Sequence, residues 1–471
     1  MYYATQWGAG LLDWDSFNYI ASARSLAAGN GYTIPVDNTS DLPMTHYPPA
    51  LPTVLALFQL LGVDALAAIR HLNVFLFGAN LLLFGLALRK LTGSVYFGLF
   101  GGLLFLLSSV FIQQHAWALS EPLLIFFTLL ALWFAGEYLD ASRNRDLWIA
   151  ALFSALAFLT KYAGAATGAA IIAGLLVSRK FTWRRKLREG LIVGLIGFLP
   201  GLLWAYRSYL LTDTLNNRSL GFHPPVMGNL VEAFYTFYGW YIPKPFLVGN
   251  EKWFVLGTIG AVLAVIGVLI YRRRLRDLIS TTPTLVWLSM AFIFSYIAVI
   301  FFSKTFIDPN IGMSNRMFVP VLPATMLMVL GGMHALWYQD KRWLRTLMVV
   351  LGVYLVVLAI AYTRVRLPEL HERGLGLARR GVNNSEAIQI LENEAADTPI
   401  YSNYTYAVYL RTGQAGYKLG SFDPDNVPSK GALLVVFRQW TAEEHPLVKE
   451  YKDHIELLID DPIAAVYLYK P

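Results

Sequence analysis

Long apolar runs alternate with short polar segments along most of this chain, a pattern typical of helices that cross a membrane. A spanning helix needs about 20 apolar residues. The candidates are residues 66–88, 95–111, 120–139, 147–160, 165–178, 190–211, 253–271, 283–302, 315–337 and 346–363. The fourth and fifth are short and adjoin, so we expect them to be partly buried among neighbouring helices. Run 50–62 is too short to span and predicts a helix at the membrane surface.

The pattern changes after residue 363 to that of a soluble domain. Short apolar runs at 398–402, 432–437 and 464–469 alternate with helical patterns at 385–396 and 442–451, which together predict a small α/β domain. The sequence thus predicts three parts. They are a first loop with juxtamembrane helices (1–65), a transmembrane helical bundle (66–363) and a soluble α/β domain (364–471).

Composition supports a polytopic membrane protein. Of the 471 residues, 56% are hydrophobic and 15% are charged, whereas soluble domains carry about 25% charged residues. This excludes a disordered chain, a coiled coil and an ordinary cytosolic enzyme. The absence of cysteine excludes disulfides, thiol nucleophiles and cysteine-ligated metals.

The positive charge is distributed in a way that predicts topology. Alternate loops between the candidate spans hold seventeen Lys and Arg residues, whereas the longer loops of the opposite set hold six. By the positive-inside rule the first set is cytoplasmic, and residues 1–65, 212–252 and 364–471 face outward. The net charge of +7 therefore reflects topology, and we expect no nucleic-acid partner. An outward first loop also leads us to expect one further helix before residue 1, which would raise the count from ten spans to eleven.

Ionisable residues inside the candidate spans lie mostly near the predicted outer ends. They are Arg70, Glu121, Lys161, Arg207 and Arg316. A coupled transporter would place such residues or broken helices near the midplane. The distribution instead favours chemistry at the outer face on a lipid-linked substrate.

The first outward loop carries a distinctive motif. It contains Asp13-Trp14-Asp15-Ser16-Phe17-Asn18-Tyr19, then Gly29-Asn30-Gly31-Tyr32, then His46-Tyr47-Pro48-Pro49. This order and spacing resembles the GT-C membrane glycosyltransferases. Within that class it looks most like family 39, which includes protein O-mannosyltransferases and aminoarabinose transferases.

Further motifs extend the resemblance over most of residues 13–363. The matching segments are Ser120-Glu121-Pro122-Leu123, Leu159-Thr160-Lys161-Tyr162-Ala163-Gly164 (Lys where the family has Arg) and Asp308 through Arg316-Met317-Phe318-Val319-Pro320. The segments Tyr401-Ser402-Asn403 and Leu410-Arg411-Thr412-Gly413 resemble the outward domain of related bacterial proteins. No single motif is specific to the family, but the order and placement of the motifs together are specific.

The resemblance implies a sugar donor carried on a polyprenyl phosphate and an acidic residue in the first outward loop that acts at the acceptor. Asp15 is then the first candidate for the catalytic base and Asp13 the second, with Glu121 at the acceptor or in a metal site. Ordinary structural roles are the alternative, because carboxylates also cap helices and favour helix N-termini.

Cations are needed where the lipid phosphate departs. Lys161 and Arg316 are the candidates, although both residues could equally anchor helix ends among lipid headgroups. Arg218 and His223 precede Pro224-Pro225 in the second outward loop and are further candidates. Tyr19, Tyr47 and Tyr162 are candidates for the sugar pocket. No clustered spacing of metal ligands is present in the sequence, although some GT-C enzymes use a divalent cation.

The sequence therefore predicts a multi-pass plasma-membrane glycosyltransferase of inverting type. It would move a sugar from a polyprenyl-phosphate donor to a lipid, glycan or protein acceptor at the extracytoplasmic face. Two other classes stay open: a transporter or flippase of lipid-linked sugars, and a non-catalytic membrane scaffold.

Overall fold

The computed structural model describes residues 1–36, 41–214, 218, 220–249, 283–339, 341–394, 398–438 and 446–470. These residues form two compact units, each considered separately below. The sheet-containing unit comprises residues 1–75, 115–119 and 366–471, and the helical unit comprises residues 76–114 and 120–365. The three-part division of the chain stays a prediction.

The α-helices of the described residues follow in chain order. They are α1 (Asp13–Ala27), α2 (Ala50–Leu60), α3 (Ala65–Thr92), α4 (Val95–Leu106), α5 (Ser109–Ala116), α6 (Glu121–Ala141), α7 (Asn144–Thr160), α8 (Ala165–Val177), α9 (Trp183–Val193), α10 (Leu199–Thr212), α11 (Met227–Gly239), α12 (Lys244–Leu247), α13 (Thr284–Phe306), α14 (Asn315–Phe318), α15 (Leu322–Trp337), α16 (Arg342–Arg373), α17 (Arg380–Asn383), α18 (Glu386–Glu394), α19 (Thr405–Thr412) and α20 (Pro446–Glu450).

The strands are short and come from two regions of the chain. They are β1 (Thr33–Pro35), β2 (Asp41–Pro43), β3 (Ile400–Ser402), β4 (Tyr417–Lys418), β5 (Ala432–Phe437), β6 (Ile455–Asp460) and β7 (Ala464–Tyr469). Strands β1 and β2 form an antiparallel pair.

Six helices of the described residues are long and apolar enough to cross a membrane by length and composition, or seven if the bent pair α4 and α5 is one span. The predicted number of ten spans is not confirmed. Helix α7 has only 17 residues, and the helix Tyr162–Val177, which is α8 with the turn before it, is also short. The candidate span 253–271 lies outside the described residues. The predicted surface run 50–62 forms the short apolar helix α2.

Small residues bring the helices of the helical unit into close contact. A Cβ atom at Gly174 of α8 would lie 2.7 Å from Leu288 of α13, and one at Gly201 of α10 would lie 2.3 Å from Phe158 of α7. Thr128 and Thr167 share a buried hydrogen bond of 3.0 Å between α6 and α8. Close backbone approach through small residues, with occasional polar contacts, is the ordinary way in which helices pack in a membrane.

Charged residues at the far end of α6 from Glu121 are paired with one another. Lys90 donates to Glu137 at 2.8 Å, and Arg143 contacts both Glu137 at 2.9 Å and Asp146 at 2.7 Å. These pairs account for Glu137 near the end of a spanning helix without a catalytic role, because paired charges are tolerated where isolated ones are not.

The sheet-containing unit holds a five-stranded mixed sheet with the order β4-β3-β5-β7-β6. Strand β3 pairs in parallel with β4 and β5, whereas β7 pairs antiparallel with β5 and β6. Every residue of β5 is buried, as expected for a central strand covered on both faces.

Asp461 fixes the tight turn between β6 and β7. Its carboxylate accepts hydrogen bonds from the Ser385 hydroxyl at 2.6 Å and from the backbone N–H groups of Ile463 at 2.8 Å and Ala464 at 3.0 Å. Burial alone would raise the pKa of Asp461, but these hydrogen bonds outweigh burial and hold the pKa below its usual value.

Replacing Asp461 by Asn is therefore expected to destabilise the fold in a pH-dependent way. A lowered pKa means that the stabilisation is complete above the unfolded pKa of about 3.9 and is lost as the pH falls through the folded pKa. We expect Asp461→Asn to lower the free energy of unfolding by about 1–2 kcal/mol at pH 7. Thermal unfolding at pH 7 and below pH 4 should show the difference from wild type shrinking in acid. Asp453→Asn, at an exposed position, is the matched control.

Candidate functional site

Asp15 lies in the first turn of α1, where the chain is held by backbone contacts. The Ser16 hydroxyl accepts from the N–H of Leu12 at 2.8 Å and donates to the carbonyl of Ala118 at 3.0 Å. The N–H of Gly10 donates to the carbonyl of Ala116 at 2.7 Å. Carboxylates in this first turn are favoured by the helix dipole, so α1 begins at a fixed position with its acidic residues at the N-terminus.

Two of the predicted sugar-pocket tyrosines lie beside Asp15. The Tyr47 hydroxyl donates a hydrogen bond to the Asp15 carboxylate, and the ring of Tyr47 packs on Tyr19 with centroids 4.9 Å apart. The Tyr32 hydroxyl donates to the carbonyl of Tyr47 at 3.2 Å and thereby holds this segment. Asp15 is only partly buried, so its carboxylate is both oriented and open to a solute.

The C-terminal region supplies side chains to the same unit beside α1. Burial, reinforced by the nearby Asp13 carboxylate, raises the pKa of the Tyr404 hydroxyl. The Tyr406 ring packs edge-on against Trp14 with centroids 5.1 Å apart. The sequence did not identify Tyr404 or Tyr406, although Tyr404 directly follows the Tyr401-Ser402-Asn403 segment that carries part of the resemblance and Tyr406 comes soon after it.

A second pairing holds α1 in place within this unit. The Arg24 guanidinium makes two hydrogen bonds to Asp64, at 2.9 and 3.0 Å, and lies over the Tyr409 ring at 5.4 Å. Burial alone would raise the pKa of Asp64, but Arg24 outweighs burial and lowers it. Arg24 therefore ties α1 to the start of α3 and to α19.

In the helical unit, three predicted residues meet at one carboxylate. Glu121 is the first residue of α6 and is fully buried. Its Oε1 atom accepts from Lys161 Nζ at 2.7 Å and from Arg316 Nε at 3.3 Å. Its Oε2 atom is buried without a hydrogen-bond partner among the described residues. We call Glu121, Lys161 and Arg316 the Glu121 cluster.

Each member of the Glu121 cluster lies at an interruption of helical structure. Lys161 follows α7 with extended backbone angles (φ −155°, ψ 138°), and Arg316 lies in the short helix α14 before the Val319–Val321 turn. The side chains of Lys161 and Arg316 remain 18% and 27% exposed. The buried Tyr296 ring is within electrostatic range of Glu121 and Arg316. Two cations against one carboxylate leave the cluster with a formal charge of +1, and both cations are partly exposed.

The remaining predicted residues of this unit are placed as follows. Arg218 forms an ion pair with Asp308. His223 is exposed, and its backbone N–H donates to the carbonyl of Thr305 at 2.6 Å. Tyr162 packs edge-on against Phe158 with centroids 6.4 Å apart. Within the described part of the chain, no three His, Asp or Glu side chains are grouped so as to hold a metal ion.

Comparison with known proteins gives a family match over part of the chain and a fold for nearly all of it. Residues 46–204 match the family described as dolichyl-phosphate-mannose-protein mannosyltransferase. The apo structure of ArnT from Cupriavidus metallidurans resembles the chain with a TM-score of 0.59 at 15% identity, over 98% of this chain and 94% of that one. A structure of the same protein bound to undecaprenyl phosphate gives a TM-score of 0.56 at 15% identity over the same shares. No curated protein matches the chain significantly.

The chain has the fold of the GT-C membrane glycosyltransferases. The match to the mannosyltransferase family covers residues 46–204, and the fold resembles that of ArnT over nearly the whole chain. The resemblance predicted from the first-loop motif and the later segments is thus confirmed.

Proposed function

We propose that this protein is an inverting glycosyltransferase that moves a sugar from a polyprenyl-phosphate donor to an acceptor at the extracytoplasmic face of the plasma membrane. The observation that carries the proposal is the Glu121 cluster, with its excess positive charge and two partly exposed cations. The ArnT structure bound to undecaprenyl phosphate supports the choice of donor.

The charge of the Glu121 cluster matches the donor. A sugar linked to a polyprenyl phosphate is a phosphodiester with one negative charge, which would neutralise the +1 of the cluster. Charge matching matters here because an uncompensated charge among apolar helices is costly. As the bond to the sugar breaks, the phosphate gains a second negative charge, and Lys161 and Arg316 would stabilise that charge as it develops.

Asp15 is the proposed general base. It would accept the proton of the acceptor hydroxyl as the hydroxyl oxygen bonds to the anomeric carbon and the bond from that carbon to the phosphate oxygen breaks. A single displacement of this kind inverts the configuration at the anomeric carbon. The Tyr47 hydroxyl orients the carboxylate, and partial exposure of Asp15 gives the acceptor access.

Loss of the Tyr47 hydroxyl should slow the reaction without weakening donor binding. In Tyr47→Phe the Asp15 carboxylate loses its hydrogen bond and becomes less well oriented, while the aromatic packing on Tyr19 is kept. We expect kcat to fall about tenfold with the KM for donor unchanged, measured by steady-state assay. A tenfold rise in KM with kcat intact would instead assign Tyr47 to donor binding.

The function is tested with purified protein in proteoliposomes and a panel of polyprenyl-phosphate sugars. Release of free polyprenyl phosphate, together with labelled sugar on an added lipid, glycan or peptide fraction, is the expected result. Movement of intact donor across the bilayer without bond cleavage would replace the proposal with a flippase. The donor that turns over identifies the sugar, and sealed vesicles supplied with donor on one side identify the face.

A further inference from the structure

A large basic pocket lies in the sheet-containing unit, at the C-terminal end of α16. Its volume is about 660 Å³, which is within the range of small-molecule sites. Its charged lining consists of Arg366, Arg373, Arg379, Arg380, Glu369 and Glu372. We call it the arginine pocket. None of these residues belongs to the Glu121 cluster or the surroundings of Asp15.

The positive charge of the arginine pocket is only partly balanced by its carboxylates. Arg366 pairs with Glu369 one turn later on the same helix, whereas Arg373, Arg379 and Arg380 are exposed. Four guanidinium groups against two carboxylates leave a formal charge of +2 in one concave site. Such a concentration of like charge is unfavourable in the empty pocket and favours an anionic occupant.

The wall of the pocket is rigid. Gly374 and Gly376 adopt left-handed angles (φ 68° and 56°), and a Cβ atom at Gly376 would lie 2.0 Å from the carbonyl oxygen of Leu11. The N–H of Leu377 donates to that carbonyl at 3.1 Å. This tight turn holds Arg373 and Arg379 on either side of it, and the Arg380 guanidinium lies over the Trp7 ring at 5.9 Å. The cations are thus carried on a fixed backbone.

The position of the pocket along the chain points to the membrane surface. Helix α16 is apolar enough to span a bilayer, and its apolar stretch gives way to Arg364 and Arg366 immediately before the pocket. Basic residues directly beyond a spanning segment lie at the depth of lipid headgroups. Guanidinium groups bind phosphate oxygens through two parallel hydrogen bonds, which makes arginine better suited to phosphate than lysine.

We propose that the arginine pocket binds a phosphate group, either from the headgroup of an anionic phospholipid or from a soluble phosphate-bearing compound. This site is separate from the phosphate-binding role assigned to Lys161 and Arg316. It does not depend on the sugar-transfer reaction.

The test compares wild type with three variants of the purified chain. In the first variant Arg373, Arg379 and Arg380 are all replaced by Gln, and in the second all three are replaced by Lys. The control replaces the exposed Lys418, Lys430 and Lys449 by Gln, which removes the same charge elsewhere in the unit. Native mass spectrometry counts phosphatidylglycerol bound from mixed micelles with phosphatidylcholine, and equilibrium dialysis measures labelled inorganic phosphate.

We expect the Gln variant to bind phosphatidylglycerol at least tenfold more weakly than wild type, with the Lys variant intermediate and the control unchanged. Loss in the lipid arm alone identifies a headgroup site, and loss in both arms identifies a site for phosphate itself. Equal binding by wild type and the Gln variant in both arms would overturn the proposal, as would an equal loss in the control. The Lys variant keeps the positive charge, so the proposal can still be tested with it if the Gln variant does not fold.

Discussion

Replacing Asp15 by Asn is expected to reduce sugar transfer by at least 100-fold while leaving donor affinity within about twofold. The amide is nearly the same size as the carboxylate and can still accept the Tyr47 hydrogen bond, but it cannot take the proton of an acceptor hydroxyl. Loss of a positioned general base typically costs about 10²–10⁴ in rate. Steady-state kinetics with the donor identified from the panel, and donor binding measured separately, give the two quantities.

Two related variants separate catalysis from structure at this position. Asp453→Asn removes a carboxylate from an exposed position in the same unit and should leave the rate unchanged. Asp13→Asn removes the carboxylate near the Tyr404 hydroxyl and should have a smaller effect than Asp15→Asn. A fully active Asp15→Asn protein, or a larger loss in Asp13→Asn, would show that the base has been assigned to the wrong residue.

Replacing Arg316 by Ala is expected to raise the KM for donor by at least tenfold and to lower kcat/KM by about 100-fold or more. The substitution removes the excess positive charge and leaves Glu121 paired with Lys161 alone, so the cluster becomes neutral and no longer matches the phosphate. Removing one charge-assisted contact to a developing negative charge costs about 10²–10³ in rate. Lys161→Ala should behave similarly, because it removes the other cation.

A structural role for Arg316 makes a different prediction. If Arg316 served only to neutralise Glu121, then Arg316→Ala would destabilise the fold, and a second change of Glu121 to Gln would restore both stability and activity. In the double variant Lys161 alone returns the cluster to a formal charge of +1, so we expect stability and part of the donor affinity to recover. The kcat should stay low, because only one cation is left to stabilise the second negative charge of the departing phosphate. Arg345→Ala, which removes an exposed arginine of α16, is the control for loss of positive charge.

The helix breaks at which the members of the Glu121 cluster lie are visible in the sequence, but the contacts between these residues are not. Ser120-Glu121-Pro122, Thr160-Lys161 and Arg316 through Pro320 each mark a helix boundary, and each was a candidate in its own right. Glu121 lies 40 residues from Lys161 and 195 from Arg316. Contacts over such separations follow from how the helices pack, which hydropathy does not specify. Only the structure therefore shows that Lys161 and Arg316 contact the same oxygen of Glu121.

The same limit applies to the residues around α1. Asp15, Tyr19 and Tyr47 belong to one local motif of the sequence, and the structure places them side by side, while their roles stay predictions. Tyr404 and Tyr406 come from the far end of the chain and were not identified. The ten spans predicted from hydropathy are not confirmed, since α7 and the Tyr162–Val177 helix are apolar but short. The length of a helix depends on where the helix ends, and in this region it ends at the break at Lys161.

The central claim is that the chain cleaves the bond between a sugar and a polyprenyl phosphate with Asp15 as the base. The most direct measurement is a single-turnover experiment in which bound intact donor and free polyprenyl phosphate are quantified in the same sample, for wild type and Asp15→Asn. We expect free polyprenyl phosphate and glycosylated acceptor with wild type, and bound but intact donor with the variant. Intact donor in both samples, with acceptor present, or equal cleavage in both would contradict it.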